Sequence, residues 1–358
     1  MEMTDYMVNI LDHFQLASKP ISCERYGFGH INETYLVVTE NSTRYILQKI
    51  NHRIFRDVAG LMQNIEAVTT YLSKQNKDPR AVLTLVHTKD GKAYYCGADE
   101  SYWRVYVFVE DSICLQLPET PADFYESAVA FGNFQQLLKD FPADTLRQTI
   151  PNFHNTPDRY RIFHETLAKD PMGRAKDVQA EIDFVLAREE EAGTLVRLLA
   201  EGKLPLRVTH NDTKLNNVML DAQSRTALCV IDLDTVMPGL SLYDFGDSIR
   251  FGAASAAEDE QDLSKMEMRL ELFEIYTKGF LQACPGLTET ERSMLPMGAK
   301  LMTLECGVRF LTDYLDGDHY FATYRPGQNL DRARTQFKLV ADMESKWEQM
   351  NKIIKEVS

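Results

Sequence analysis

The stretch Val208-Thr209-His210-Asn211-Asp212-Thr213-Lys214-Leu215-Asn216-Asn217-Val218-Met219-Leu220 decides how this chain is read, together with Cys229-Val230-Ile231-Asp232-Leu233-Asp234-Thr235 just after it. The first run spells His-x-Asp-x-x-x-x-Asn and passes into an apolar, β-prone segment. A polar turn, Asp221-Ala222-Gln223-Ser224, leads to a second apolar segment that ends in carboxylates. Asp212 and Asn217 are 217 − 212 = 5 residues apart, and Asp212 and Asp232 are 232 − 212 = 20 apart, enough for a tight hairpin back to the same cleft. Phosphoryl transfer from ATP asks for such a set: one carboxylate facing the acceptor hydroxyl, and an Asn and an Asp for Mg²⁺. Each residue alone would read as a turn cap or a strand end. The joint pattern points to kinase chemistry, with Asp212 as the catalytic carboxylate and Asn217 and Asp232 as the metal ligands.

Downstream, Asp244-Phe245-Gly246-Asp247 imitates the metal-binding DFG of protein kinases. At 244 − 212 = 32 residues, and beyond the Pro238-Gly239 break, it lies too far along. Asp232 is the better metal aspartate.

The rest of the chain narrows the class. Its 358 residues, 44% of them hydrophobic, suit one large or two modest domains with real cores. No apolar run is long enough to span a bilayer, and the start Met1-Glu2-Met3-Thr4-Asp5 lacks a signal peptide's basic and apolar regions. The six cysteines form no C-x-x-C pair, which fits free thiols in a cytoplasmic protein. A formal charge of −14 argues against a nucleic-acid partner. Mg²⁺ and a locally basic cleft reconcile that charge with a nucleotide. The expected partners are a nucleotide and a small molecule, handled by a monomer.

Apolar spacing predicts a short helix over residues 6–16, a strand following Gly27, another over 44–50 and a helix over 58–74. Two strands follow, at 84–88 and 93–96, flanking the turn Lys89-Asp90-Gly91-Lys92, and then an apolar strand over 103–109. That order describes a small nucleotide-binding lobe, residues 1–109, with a hinge at 110–113. Thr120-Pro121-Ala122-Asp123 then starts a helix reaching about Asp140. Residues 114–358 read as a mainly helical catalytic lobe, closed by one long helix from about Leu330 to Lys355. The fold class is α+β: a bilobal, protein-kinase-like fold with a small antiparallel-sheet N-terminal lobe and a larger helical C-terminal lobe.

Gly27-x-Gly29-x-x-Asn32 has the form of a phosphate-covering loop, where glycines let backbone N–H groups approach phosphate oxygens. The strand-three lysine of kinase folds, normally paired to a helix glutamate, is blurred here. Gln48 occupies its slot and Lys49 is the next residue; strand alternation allows only one of them to face the cleft. Glu66 is the expected helix partner. Val109 and Glu110, at the hinge, complete the nucleotide set.

The loop Gly-Phe-Gly-His-Ile-Asn-Glu-Thr-Tyr, the run His-Asn-Asp-Thr-Lys-Leu-Asn-Asn and Ile-Asp-Leu-Asp-Thr-Val-Met-Pro-Gly together resemble the aminoglycoside/choline phosphotransferase superfamily. Within it the chain is similar to bacterial N-acetylhexosamine 1-kinases, through Tyr243 to Gly252 and through Glu305 to Leu311 leading to Asp318-His319-Tyr320-Phe321. The likeness covers nearly the full length. It implies ATP- and Mg²⁺-dependent phosphorylation of the anomeric hydroxyl of N-acetylglucosamine or N-acetylgalactosamine. It also implies sugar contacts from His30, Asn32, Arg309 and Tyr320, with Asp212 facing the hydroxyl. The Gln48 departure leaves the phosphate lysine open. Arg309 has its own alternative, a helical salt bridge to Glu305 or Asp313, each four residues away. Another acceptor (choline, homoserine, methylthioribose or an aminoglycoside) would keep the chemistry. A catalytically dead scaffold would keep the motif without turnover.

Overall fold

The computed structural model describes residues 4–27 and 31–357. Helix α1 (Asp5–Leu11), capped by Thr4, precedes β1 (Pro20–Arg25), β2 (Glu33–Thr39) and β3 (Arg44–Ile50). Helix α2 (Val58–Ser73), capped by Asp57, leads to β4 (Leu85–Val86), β5 (Tyr95–Cys96) and β6 (Tyr102–Val107). These six strands form one antiparallel sheet in the order β1-β2-β3-β6-β4, with β5 also paired to β6.

Two features of this sheet differ from the sequence-based expectation. The edge strand β1 was not anticipated; its mixed pattern, Pro-Ile-Ser-Cys-Glu-Arg, carries no clean alternation. The Lys89–Lys92 turn forms, with Thr88 N donating to Lys92 O at 2.8 Å, yet β4 and β5 do not pair with each other. Both lie along the same edge of β6, which would otherwise leave a row of backbone groups unpaired.

Alternation divides the sheet's two faces. Tyr45, Leu47, Trp103 and Val105 pack with Ile10, Leu11 and Phe14 on the α1 face. Ile50 and Tyr106 pack with Phe55, Leu61, Met62 and Ile65 on the α2 face. That second cluster continues through Leu233 and Val236 to Phe134 and Leu138, so one apolar core joins the two lobes beneath the cleft.

After the sheet, β7 (Ser112–Cys114) precedes α3 (Pro121–Leu137), whose Asp123 carboxylate accepts from Thr120 N at 2.8 Å. The helices α4 (Thr156–Lys169), α5 (Gln179–Leu186), α6 (Glu189–Ala192) and α7 (Thr194–Ala200) lead into β8 (Arg207–Thr209). The motif hairpin is β9 (Val218–Asp221) and β10 (Ala227–Val230), joined by β7 in a three-stranded sheet; β11 (Met237–Gly239) pairs with β8. Six helices close the chain: α8 (Ser241–Gly252), α9 (Leu270–Ala283), α10 (Glu289–Ser293), α11 (Leu295–Asp316), α12 (Gln328–Ser345) and α13 (Trp347–Val357). The single closing helix expected from periodicity is thus two. The chain turns at Lys346, whose ammonium holds Met268 O at 2.8 Å, while Met350 and Ile354 join the apolar core of this lobe. The architecture is the expected bilobal α+β one, a small antiparallel-sheet lobe beside a larger helical lobe. Among the described residues no helix is long and apolar enough to cross a membrane.

Candidate functional site

The loop between β8 and β9 carries the motif, and its neighbours fix its shape. His210 is fully buried beneath Phe131 and Phe134, and its Nε2 lies 2.8 Å from Ile231 O at the end of the hairpin. Asp244, in α8, accepts from His210 N at 2.9 Å, from Asn211 N at 2.8 Å and from Gln135 Nε2 at 2.5 Å. Burial pushes its carboxyl upward, against the pull of those donors. Asp247 accepts from Thr213 N at 3.1 Å and is itself held by Arg250. The Asp-Phe-Gly-Asp run is therefore a clamp on the loop that carries Asp212. Its glycine has a packing reason: a Cβ at Gly246 would collide with the backbone of Gly298 where α8 crosses α11.

On this loop Asp212 is partly open to the cleft, with 28% side-chain exposure. One carboxylate oxygen lies 2.7 Å from Lys214 Nζ and the other accepts from Asn217 Nδ2 at 3.1 Å. The same amide also donates to Asp212 O at 2.7 Å, so Asn217 closes the loop on its aspartate. Burial works against the Lys214 charge, but Asp212 and Asp247 more than restore it and its pKa lies above the usual value.

Asp232 follows β10 in a left-handed conformation, φ 58° and ψ 60°, which re-aims the chain into the 3₁₀ turn Leu233–Thr235. It is exposed on the cleft floor yet surrounded by protein. Its carboxyl is pushed up to about 7, by removal from bulk water and then by the Asp234 and Asp212 carboxylates. The Asp232 carboxylate and the Asn217 amide oxygen are hard donors suited to Mg²⁺, which protein and phosphates usually share. A cation there would relieve the repulsion that raises Asp232, so the residues fit the ion. Among the described residues no cluster of three His, Cys, Asp or Glu encloses a metal by itself.

The phosphate side departs from expectation. Lys49 lies on the α1 face of the sheet, 5.7 Å from the centre of the Trp103 ring and 4.0 Å from Glu33. Gln48 faces α2, where its amide donates to Thr34 Oγ1 at 3.0 Å and accepts from Arg104 Nε at 2.9 Å. Glu66 engages His87 Nε2 at 2.6 Å, so the expected lysine–glutamate pair does not form. Alternation put Lys49 on the wrong face, and Glu66 sits on the rim of α2. Gly27 has φ +76°, a conformation that favours glycine, whereas Gly29 and His30 lie outside the described residues. At the hinge Val109 is buried; Glu110 is held by Arg44 Nε at 3.0 Å.

In the helical lobe Arg309 stands among three rings, 5.2 Å from Phe153, 5.7 Å from Tyr320 and 5.4 Å from Phe321. Its Nη2 reaches Tyr320 Oη at 3.4 Å, and Tyr320 is 65% exposed. The salt-bridge alternative does not form. Glu305 is buried with His154 Nδ1 at 2.9 Å and Thr156 Oγ1 at 2.7 Å. Asp313 collects backbone N–H groups from His319, Tyr320 and Phe321. Asn32 turns inward: its amide donates to Asp234 Oδ2 at 2.6 Å and accepts from Asn51 N at 2.9 Å.

The profile of the phosphotransferase enzyme family (APH) matches residues 22–274, well over half of the chain. The chain belongs to the phosphotransferase enzyme family. Solved structures agree at the level of the fold. A microcompartment-associated aminopropanol kinase is 18% identical with a TM-score of 0.61, covering 97% of this chain and 98% of its own. An aminoglycoside phosphotransferase from Alicyclobacillus acidocaldarius is 13% identical with a TM-score of 0.62, covering 99% and 98%. A choline kinase from Cryptosporidium parvum is 14% identical with a TM-score of 0.58, covering 99% of each chain.

Sequence reasoning about this phosphotransferase passed over three side chains. Lys214 touches Asp212 and was legible as a cation inside the motif. Arg104 was legible as a charge within an apolar strand, since a buried charge demands a partner. The third is His154, whose ring is buried against Glu305 and Tyr243.

Proposed function

We propose that this phosphotransferase transfers the γ-phosphoryl group of ATP, with Mg²⁺, to the anomeric hydroxyl of an N-acetylhexosamine. The observation that carries the phosphoryl transfer is the Asp212 carboxylate held between Lys214 and Asn217, beside Asp232 in one cleft. Asp212 orients the acceptor hydroxyl and takes its proton late, as the acceptor oxygen bonds to phosphorus and the β–γ bridging bond breaks to release ADP. Lys214 is placed to balance charge on the transferring group. Asn217 and Asp232 would hold Mg²⁺, which supplies charge neutralisation at the phosphates.

The acceptor is argued from charge. In a chain with 53 acidic and 39 basic residues, no carboxylate lies within ion-pair distance of Arg309 or Arg159 among the described residues. Arg159 is pushed below the usual arginine value by burial and by Arg309. Two guanidinium groups without a paired carboxylate favour hydroxyl and acyl oxygens over an ammonium. A second reading keeps the wider class: similar structures are named as aminopropanol and choline kinases, so a small amino alcohol is the rival acceptor.

A phosphorus NMR assay with ATP, Mg²⁺ and each of N-acetylglucosamine, N-acetylgalactosamine, choline, aminopropanol and an aminoglycoside separates the two. A sugar 1-phosphate doublet is expected. Turnover confined to the amines would overturn the sugar assignment and leave the kinase intact.

A further inference from the structure

Arg104 is the least expected charge in the molecule. It sits in the middle of β6, directly across from Gln48 in register, and its side chain is 1% exposed. Its guanidinium divides its donors between two partners. Nε donates to Gln48 Oε1 at 2.9 Å and Nη1 forms an ion pair with Asp234, whose side chain is 4% exposed. The pair therefore bridges β6 of the small lobe to the turn that presents Asp232. Asp234 uses its other oxygen for Asn32, at the foot of the glycine-containing loop. Its carbonyl takes the Thr149 hydroxyl at 3.1 Å. With one oxygen on Arg104 and the other on Asn32, both Asp234 oxygens are engaged within the protein, although Asp-Leu-Asp looks like a double carboxylate site.

The network occupies the place vacated by the missing lysine. Where a strand-three lysine would project from residue 48, Gln48 instead steadies Arg104. Where a helix glutamate would answer it, α2 offers Met62, whose sulfur lies 3.9 Å from Arg104 Nη1. A lysine at 104 could not make both bonds, because its single ammonium lacks the planar fork that reaches two partners in fixed directions. Outer partners of this kind orient metal ligands and tune their affinity.

We propose that Arg104 is a positioning residue for the metal side of the cleft: through Asp234 it fixes the turn that aims Asp232, and ties that turn to Asn32. This rests on the reading of Asp232 as a metal ligand. One consequence follows from the buried pair: the Asp232 backbone keeps its left-handed conformation before nucleotide arrives, with Asn32 tied to the same turn.

The test is Mn²⁺ binding in the presence of ADP, read by electron paramagnetic resonance, alongside ADP binding in EDTA by calorimetry and the Mg²⁺ dependence of turnover. Variants are Arg104→Lys, the double variant Arg104→Gln with Asp234→Asn, and Asp232→Asn as reference. The double variant removes both charges together, so neither is left buried alone and the fold is kept. Arg104→Lys and the double variant should each weaken Mn²⁺ binding about tenfold or more and raise the half-activating Mg²⁺ in step, with metal-free ADP binding within about twofold. Wild-type Mn²⁺ binding in both, while Asp232→Asn loses it, overturns the role of Arg104. Wild-type Mn²⁺ binding in Asp232→Asn overturns the metal assignment itself.

Discussion

The loop that carries Asp212 and the sheet of the small lobe sit across one cleft, and they obey different rules. On the loop, function is written in consecutive residues. Asp212, Lys214 and Asn217 bond to one another within a single turn, and α8 clamps them from behind. On the sheet, function is distributed over strands far apart in sequence. Gln48, Arg104, Asp234 and Asn32 meet only after β3, β6 and the metal turn are assembled. A local motif is legible in the order of residues; a cross-strand network is not, because its members meet only through strand register.

The comparison breaks first at Asp212. Asp212→Asn should lower turnover by a factor on the order of 10²–10⁴, the usual worth of a positioned general base, with an unchanged melting midpoint. Near-normal turnover in a folded variant would end the case for the loop. Next comes its clamp. Asp244→Ala leaves three donors without their acceptor, and should cost about 3 kcal/mol by urea denaturation as well as activity. Stability within error of wild type would mean that α8 does not hold the loop.

The loop was legible because its contacts span a few residues, so spacing alone encodes geometry. The decoy at Asp244 was rejected on spacing too, and its three loop-directed bonds supply the reason the residue is there. Arg309 was legible as a charge in an apolar helix, but spacing suggested Glu305 and Asp313 as partners, and both are taken by groups outside the helix. Likewise Lys49 was a fair candidate by composition, and pleat alone removed it from the cleft.

A smaller effect concerns pH. With its folded pKa raised to about 7, Asp232 keeps its proton in the metal-free folded state while the unfolded chain has already ionised. Its contribution to stability should therefore fall as pH rises from about 4 through 7. Because water reaches this carboxylate the loss should be roughly 1 kcal/mol, well below the full shift. Melting of metal-free protein between pH 5.5 and pH 8 would show it, and Asp232→Asn should flatten the dependence; an identical slope in both proteins would contradict the assignment. The smallest effect sharpens the contrast. Glu66→Ala, removing a half-exposed bond to His87, should change stability by no more than about 0.5 kcal/mol and leave turnover near wild type. A large loss of turnover there would restore the lysine–glutamate arrangement that the structure lacks.

By itself, the sequence determined the catalytic loop, the hairpin that returns Asp232 and the division into a sheet lobe and a helical lobe. Those features depend on periodicity and on separations of a few residues, which the order of amino acids carries directly. Only the tertiary structure decided which face of the sheet Lys49 takes, where Asn32 points and who surrounds Arg309. Those outcomes depend on strand register and on which polar groups become buried together, and a buried charge takes whatever partner the fold brings within reach.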